Sequence, residues 1–476
     1  MSSILLFIFR RDFRLTDNTA FLACQKYALE NNCQLLPLFV FNAEQINPKN
    51  NAYYSNNSVQ FLIESLRDLE KSLLSLRYLT TNDEPTTLKK VIRSLDGECK
   101  GVFFNRDITP YARRRDENLE VELSKLNVPV FAYEDYTLLP IETILTKTGK
   151  PYEVFTFFYK TGLKFKVPEP VEAVEKVKYY KDKRRLPDEQ SEPIEVYYKP
   201  NPNLNVHGGR KLALEILRRI RNKEFAEYDK TRDNPSLHGT GTTLLSAYLK
   251  YGCLSVREVY HAVREAHSVN HGLIRELFWR EFYYTVAWYF PKVLRGQISS
   301  AKNEGMVSKY STVKWDTNRS ALTAWMNGTT GVPLVDAGMR QLNTTGYMHN
   351  RLRMIVASFL TKDLHIHWLE GERYFANKLI DYDPCQNSGG WQWSAGVGLD
   401  SHPYLRIFSP WRQAERFDPE TDYIKKWVPE LEKVSTYDIL KWDNPKVRAR
   451  YQIDYPAPMV DHATEVKETK RRFIKY

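Results

Sequence analysis

Cysteine is scarce in this chain of 476 residues: five are present, at 24, 33, 99, 253 and 385, and no two are spaced as CxxC. So odd and scattered a set supplies neither a disulfide framework nor a thiolate metal site, and it points to a reducing, intracellular compartment. Long apolar runs are missing too. The first, SSILLFIF, meets Arg10 and Arg11 too early for a signal peptide. No later run approaches the roughly 20 residues of a membrane span, so no membrane partner is expected, and nucleus and cytoplasm stay equally open. No GxGxxG turn follows that first run. RRDFRLTDN stands there instead, which argues against a dinucleotide pyrophosphate held in the usual way. His365 and His367, two apart, do not share a helix face, so no metal is expected. Internal repeats and low-complexity extensions are absent as well.

Aromatic residues and positive charge are plentiful. Aromatics make up 13% of the chain, with ten Trp and thirty Tyr, and the formal net charge is +11. Flat side chains fill cores but also stack on bases and planar cofactors, and a basic excess attracts polyanions, nucleic acid foremost. The length suggests two or three domains.

Residues 1–135 alternate apolar strands (Ile4–Phe9, Leu35–Phe41, Gly101–Phe104, Val128–Tyr133) with amphipathic helices, the pattern of a parallel sheet covered on both faces. Leu62, Leu66, Leu69 and Leu73 mark one helix face. From Lys164 to Asn205 the chain turns rich in Pro, Lys and Glu without a period, which reads as part of an inter-domain connection, 136–205. Beyond it, 206–476 reads as all-helical. Helices are expected at Gly209–Phe225, Ser246–Tyr251, Ser255–His267, Leu273–Phe290, Ser320–Met326, Leu334–Asn343, Met348–Leu364 and Glu372–Ile380, followed by a charged, proline-bearing tail.

Three places mix residue types in ways that suit chemistry. Gly239, Gly241, Thr242 and Thr243 precede a helix near Ser246, where free N–H groups and hydroxyls suit a phosphate, although an ordinary capped loop looks the same. Glu276, Trp279 and Arg280 share a helix face, as pocket lining or as a surface ion pair beside a core indole. Asn350 and Met354 also share a face, above a buried stripe of Leu352, Ile355, Val356, Phe359 and Leu360. A buried Arg353 needs a carboxylate, and Asp381 and Asp383, placed on a following turn with Asn387, are the candidates.

Five stretches, FRRDFRLTDN, LFWREFYY, WDTNRSALTAWMNGTTG, PLVDAGMRQLNTTGYMHNRLRMIVASFL and DYDPCQNSGGWQW, come in order along essentially the whole chain. Through them the chain resembles the photolyase/cryptochrome family, and most closely its class I-type cyclobutane pyrimidine dimer photolyases, which carry Asn and Met where Asn350 and Met354 stand. The (6-4) photolyases have paired histidines at and before that Asn, where this chain has only His349. Signalling cryptochromes commonly carry long C-terminal tails; a (6-4) photolyase and a cryptochrome-type blue-light receptor without repair activity are the alternative readings. DYDPC is similar to the cryptochrome-DASH branch.

The resemblance implies a five-stranded doubly wound α/β antenna domain and an all-α FAD domain. It implies light-driven repair of dimers in UV-damaged DNA by an electron from reduced FAD, by a protein expected to be a monomer. Under it, Tyr228, Thr242, Thr243, Leu245 and Ser246 hold the FAD phosphates and ribityl chain. Arg280, Arg353, Asp381, Asp383 and Asn387 surround its rings. Glu276, Trp279, Asn350, Met354 and Trp393 line a pocket for the flipped-out dimer, and Arg232, Arg351 and Arg406 grip the DNA backbone. Trp391, Trp368 and Trp315 form an electron-transfer chain. Ala112 departs from folate-binding members, whereas Asp107 and Lys250 match deazaflavin-type ones. An 8-hydroxy-deazaflavin antenna is therefore favoured over methenyltetrahydrofolate, with an empty antenna site or a second flavin as alternatives.

Overall fold

The computed structural model describes residues 2–173, 177–182, 184–237, 239–295, 313–400 and 405–474. Five strands, β1 (Ser2–Phe9), β2 (Gln34–Asn42), β3 (Arg77–Thr81), β4 (Gly97–Asn105) and β5 (Val130–Tyr133), pair in parallel in the order β3-β2-β1-β4-β5. The side-chain alternation of β1 explains why both faces are covered. Ile4, Leu6 and Ile8 pack with Leu88, Val91, Leu119 and Leu123 of α3 (Glu84–Ser94) and α4 (Pro110–Ser124). Leu5, Phe7 and Phe9 share a core with Phe21 of α1 (Thr19–Glu30) and Phe61 of α2 (Asn56–Ser72). Each of the four helices starts on a side-chain cap: Asn18, Ser55, Asp83 and Thr109. β3 carries no strand signal in the sequence, because RYLTT is short and mostly polar and only Leu79 is fully buried.

Because β1 lies between β2 and β4, the chain leaves its neighbours in opposite directions there, and a crevice opens at the carboxyl ends of these strands. Arg10, Arg11 and Asp12 follow β1 directly, and Asp107 lies just past β4.

The connection is not a free tether. It forms α5 (Phe155–Gly162), then runs beside β2, where Tyr179 bridges Leu35, and beside β3, where Glu189 bridges Leu79. Val167, Tyr180, Leu186, Ile194 and Leu204 are buried along it; residues 174–176 and 183 lie outside the described ones. Single bridges on extended chain leave no periodicity to read.

The helical part follows with α6 (Arg210–Arg221), α7 (Tyr228–Thr231), α8 (Ser246–Lys250), α9 (Val256–Ala266), α10 (Gly272–Tyr289), α11 (Arg319–Asn327) and α12 (Pro333–Thr345). α13 (Asn350–Ser358) runs into a π turn (Phe359–Asp363), so the expected helix Met348–Leu364 starts later and changes pitch. Next come α14 (Trp368–Lys378) and α15 (Pro384–Ala395). The sequence places Asn387 on a turn; in the structure Asp383 caps α15, Pro384 opens it, and Asn387 lies in its first turn. The charged tail holds α16 (Pro410–Phe417), α17 (Asp422–Trp427), α18 (Thr436–Leu440), α19 (Pro445–Arg448) and α20 (His462–Ile474). Among the described residues, no helix is long and apolar enough to cross a membrane, and no cluster of His, Cys, Asp or Glu could hold a metal.

Sheet and helices are joined through buried charge. The Arg14 guanidinium donates to Asp135 Oδ2 at 2.6 Å, and Arg257 of α9 donates to Asp135 Oδ1 at 3.0 Å and Asp17 Oδ2 at 2.9 Å. Two arginines hold the Asp135 carboxyl down to about 2 against the upward push of burial.

Candidate active site

Most of the residues singled out in the sequence lie on or beside α8, α10, α13, α14 and α15. Arg353 on α13 donates to both Asp381 oxygens, at 3.1 and 2.9 Å, and to the Met348 carbonyl at 2.8 Å. Its guanidinium lies 5.6 Å from the centre of the Tyr347 ring, and the Tyr347 phenol is hydrogen-bonded to Thr242, so the loop before α8 reaches this corner.

Asp381 is therefore the partner of Arg353, and Asp383 is not. The Asp383 carboxylate accepts the Cys385 and Gln386 N–H groups at 2.9 and 3.3 Å as the cap of α15, the Tyr284 hydroxyl at 2.7 Å and Arg11 Nη1 at 3.3 Å. Lys250 Nζ lies 3.6 Å away. Burial pushes the Asp383 carboxyl up, but Lys250 and Arg11 outweigh it and hold the group well below the usual carboxylate range. Arg11 also binds Asp107, at 2.6 and 3.2 Å. Asp107 and Lys250, expected at an antenna site, thus join Asp383, expected at the flavin, in one buried network at the crevice of the sheet. A small cleft beside it is lined by Arg11, Arg106, Glu134, Tyr136, Tyr284 and Trp288. Burial lowers the Lys250 amine, and Asp383 opposes the shift.

On α15, Asn387 donates to the Glu372 carbonyl at 3.0 Å and to Glu372 Oε1 at 2.9 Å, and Trp391 follows one turn later. Trp391 lies against α14 so closely that a Cβ on Gly371 would overlap its ring, and it meets Phe375 edge-on at 5.0 Å. Trp368, at the start of α14, is fully buried, whereas Trp315 is half-buried. The His367 ring stands between these two, 5.7 Å from Trp368 and 5.3 Å from Trp315. Trp391 and Trp368 are thus both buried, and Trp315 is the indole of the three that is partly open.

A second group gathers at the surface. Glu276 on α10 is ion-paired with Arg232 just past α7, and the adjacent Asp233 pairs with Arg351 of α13 at 2.8 Å. One turn of α13 carries Asn350, exposed, whose amide lies 3.9 Å from Met354 Sδ. Burial pushes the Glu276 carboxyl up, opposed by Arg232. Arg406, exposed, lies over Trp393 at 5.7 Å. Trp279 is already stacked: Phe155 of α5 covers one face at 3.6 Å and 8°, and Tyr283 leans on it at 5.8 Å. Arg280 points into the seam with the connection, donating to the Tyr136 carbonyl and, at 3.4 Å, to the Leu249 carbonyl. Arg11, Phe155, Asp233 and Glu372 were not assigned by sequence reasoning. Arg11 stands inside FRRDFRLTDN, and the other three sit outside the motifs.

The donor set suits a flavin dinucleotide. Thr242, Thr243 and Ser246 are reachable, α8 starts without a side-chain cap, Leu244 sits at φ +56°, and Arg219 fixes the loop by donating to the Gly239 carbonyl at 2.8 Å. Hydroxyls and free N–H groups fit phosphates, while Arg353 Nη1 remains to donate and Asn387 Oδ1 to accept at the edge of a planar ring system.

A parallel-sheet part joined to a helical part, in which the neighbourhood of α8, α13 and α15 gathers hydroxyls, a guanidinium and an amide, defines a two-part protein suited to a planar, phosphate-bearing cofactor. A family model described as the FAD binding domain of DNA photolyase matches residues 273–475, and one described as DNA photolyase matches residues 5–175. A deoxyribodipyrimidine photo-lyase of Alkalihalophilus pseudofirmus is 36% identical, over 97% of this chain and 95% of that one. A photolyase from the archaeon Sulfolobus tokodaii, solved with two FAD molecules, superimposes with a TM-score of 0.83 at 34% identity, over 99% of this chain and 100% of that one. A bacterial class III photolyase from Agrobacterium tumefaciens gives 0.86 at 30% identity, over 100% of this chain and 98% of that one. The chain belongs to the DNA photolyase family.

Proposed function

We propose that the protein repairs cyclobutane pyrimidine dimers in UV-damaged DNA under blue light. The observation that carries this reading is the Glu276–Arg232 pair, partly exposed and joined through the adjacent Asp233–Arg351 pair to the turn of α13 that bears Asn350 and Met354. FAD, when bound and reduced, supplies one light-excited electron. In this reading Tyr228, Leu245 and Ser246 with the two threonines hold it, and Arg280, Arg353, Asp381, Asp383 and Asn387 frame its rings. Asn387 presents an amide, not a carboxylate, beside the ring, which favours the reduced, anionic form.

The chain's other groups bind and orient the lesion. Arg232, Arg351 and Arg406 meet the DNA backbone. Once a phosphate draws Arg232 away, Glu276 loses its counter-ion, its carboxyl rises further, and it stabilises charge developing on a base through a hydrogen bond. Asn350 reads a base edge, and Met354 with the edges of Trp279 and Trp393 walls the pocket. Trp391, Trp368 and Trp315 resupply electrons from the surface. The division into 1–135, 136–205 and 206–476 belongs to the same reading. So does a second chromophore of 8-hydroxy-deazaflavin type near Asp107 and Lys250, which the absorbance spectrum of cofactor released from the protein identifies.

Incubating the reduced, FAD-loaded protein with oligonucleotides carrying either a cyclobutane dimer or a (6-4) photoproduct, under blue light, tests the proposal. Loss of the dimer alone is expected. Loss of the (6-4) lesion alone, or of neither, overturns it, and full dimer repair by Glu276→Ala removes Glu276 from the mechanism.

A further inference from the structure

His367 has no part in the site as described so far, yet it is the titratable ring that touches both outer tryptophans. It stacks on Trp368 at 26° and meets Trp315 edge-on at 69°. As the cap of α14 its Nδ1 accepts the Leu369 N–H at 3.2 Å, which places the ring proton of the neutral imidazole on Nε2. A second proton has to go on Nδ1, so protonation breaks the cap and sets a cation against both indoles.

We propose that His367 gates electron flow from Trp315 and Trp368 to Trp391, open when its imidazole is neutral and closed when it is protonated. The proposal rests on reading the three tryptophans as an electron relay. Refilling a vacancy left on Trp391 by photoexcited, oxidised flavin takes one electron from Trp368 and then one from Trp315. Trp315 is the ring finally oxidised, and a thiol in solution restores it. Each transfer leaves positive charge on a ring next to His367. An imidazolium between 5 and 6 Å away disfavours that charge by a factor on the order of a hundred in water-penetrated protein.

Burial lowers the His367 pKa, with Glu370 opposing, so the gate stands open at neutral pH. Among the described residues, Lys362 of the π turn is not ion-paired: its Nζ donates to the Ala395 carbonyl at 2.7 Å beside the Phe473 ring that meets Trp315, and burial lowers its amine to about 7. Glu370 lies 3.8 Å from Arg319 of α11, Asp316 is held by Arg472 of α20 at 2.8 Å, Glu465 by His365 at 2.8 Å, and Asp363 by His462 at 2.5 Å. Lys362 gains its proton within the tested range, so the test removes His367 and leaves Lys362 and these pairs in place.

The yield of light-driven flavin reduction, measured on FAD-loaded protein with excess dithiothreitol from pH 8 to pH 5, tests the gate. The same protein, with ¹³C-labelled histidine, gives the His367 titration by NMR. In the wild type the yield is expected to fall tenfold or more as pH drops through the His367 pKa, which lies below 6.5. His367→Asn still caps α14 but cannot titrate, and it is expected to flatten that fall; His367→Asp is a second capping variant with the same expectation. Trp315→Phe is expected to lose most of the yield at every pH. If Trp315→Phe leaves the yield unchanged, the relay reading fails and the gate with it. If Trp315→Phe abolishes the yield while the wild type and both His367 variants share one pH profile, the gate alone is overturned.

Discussion

Replacing Asp383 by Asn separates two tasks that this residue performs at once. The amide oxygen still accepts the Cys385 and Gln386 N–H groups, so the cap of α15 survives, while the negative charge beside Lys250 and Arg11 is lost. Breaking a buried pair by removing one partner costs about 3–5 kcal/mol. Arg11 keeps Asp107 and Lys250 lies 3.6 Å off, so the lower figure, about 3 kcal/mol, is expected. Asp383→Ala loses the cap as well, adding about 1 kcal/mol. Without Asp383 the Lys250 amine falls further below its unfolded value. A base whose folded pKa is lowered costs stability below the unfolded pKa, and that cost shrinks as pH rises. Urea unfolding at pH 7 and pH 9 measures both effects. The Asn variant is expected to be about 3 kcal/mol less stable at pH 7 and closer to the wild type at pH 9, and Lys250→Met on the Asn background is expected to recover at least about 1 kcal/mol. A loss below about 1 kcal/mol at pH 7, or a cost that grows with pH, refutes the reasoning.

Two further substitutions bear on the same helices. Glu281 on α10 is buried and accepts the Leu138 N–H at 2.9 Å, and burial raises its carboxyl to about 8. A carboxyl raised on folding stabilises at low pH and loses that contribution as pH climbs to the folded value. Glu281→Gln should therefore gain on the wild type by about 1.4 kcal/mol per pH unit between pH 5.5 and 8 in paired unfolding curves; a constant difference would falsify the shift. Gly371→Ala drives a Cβ into the Trp391 ring, and overpacking of this kind costs about 1–3 kcal/mol. The expected result is a lower urea midpoint together with altered Trp391 fluorescence, and an unchanged midpoint would mean that α14 and α15 are less tightly apposed than described.

Periodicity located the elements whose apolar residues repeat, β1, β2, α2 and α10 among them, because burial on one or both faces imposes the repeat. It missed β3 and the path of the connection, where edge pairing relies on backbone groups and leaves little side-chain pattern. α15 was hidden for another reason: Gly389 and Gly390 weaken its helical signal, although Asp383–Pro384 is a start signal that could have been read. Within the site, Asn350 with Met354 and Arg353 with Asp381 were legible, since helix geometry and the need of a buried guanidinium for a carboxylate constrain them. The partners of Asp383 were not. Arg11, Lys250 and Tyr284 reach it from the segment after β1, from α8 and from α10, and no local spacing encodes a meeting of such distant segments.

The Arg11–Asp383 contact spans 372 residues. A ribosome adding about 5–20 residues per second releases Arg11 at least about 20 s before the carboxylate that completes its surroundings. For about the last two-thirds of that interval the sheet, whose last strand ends at Tyr133, has its full sequence and is free to close, with Arg11 held by Asp107 alone. The early-made part then presents a fixed Arg11–Asp107 pair to the late-made part, a docking point against which the cap of α15 is set only when the chain is nearly finished.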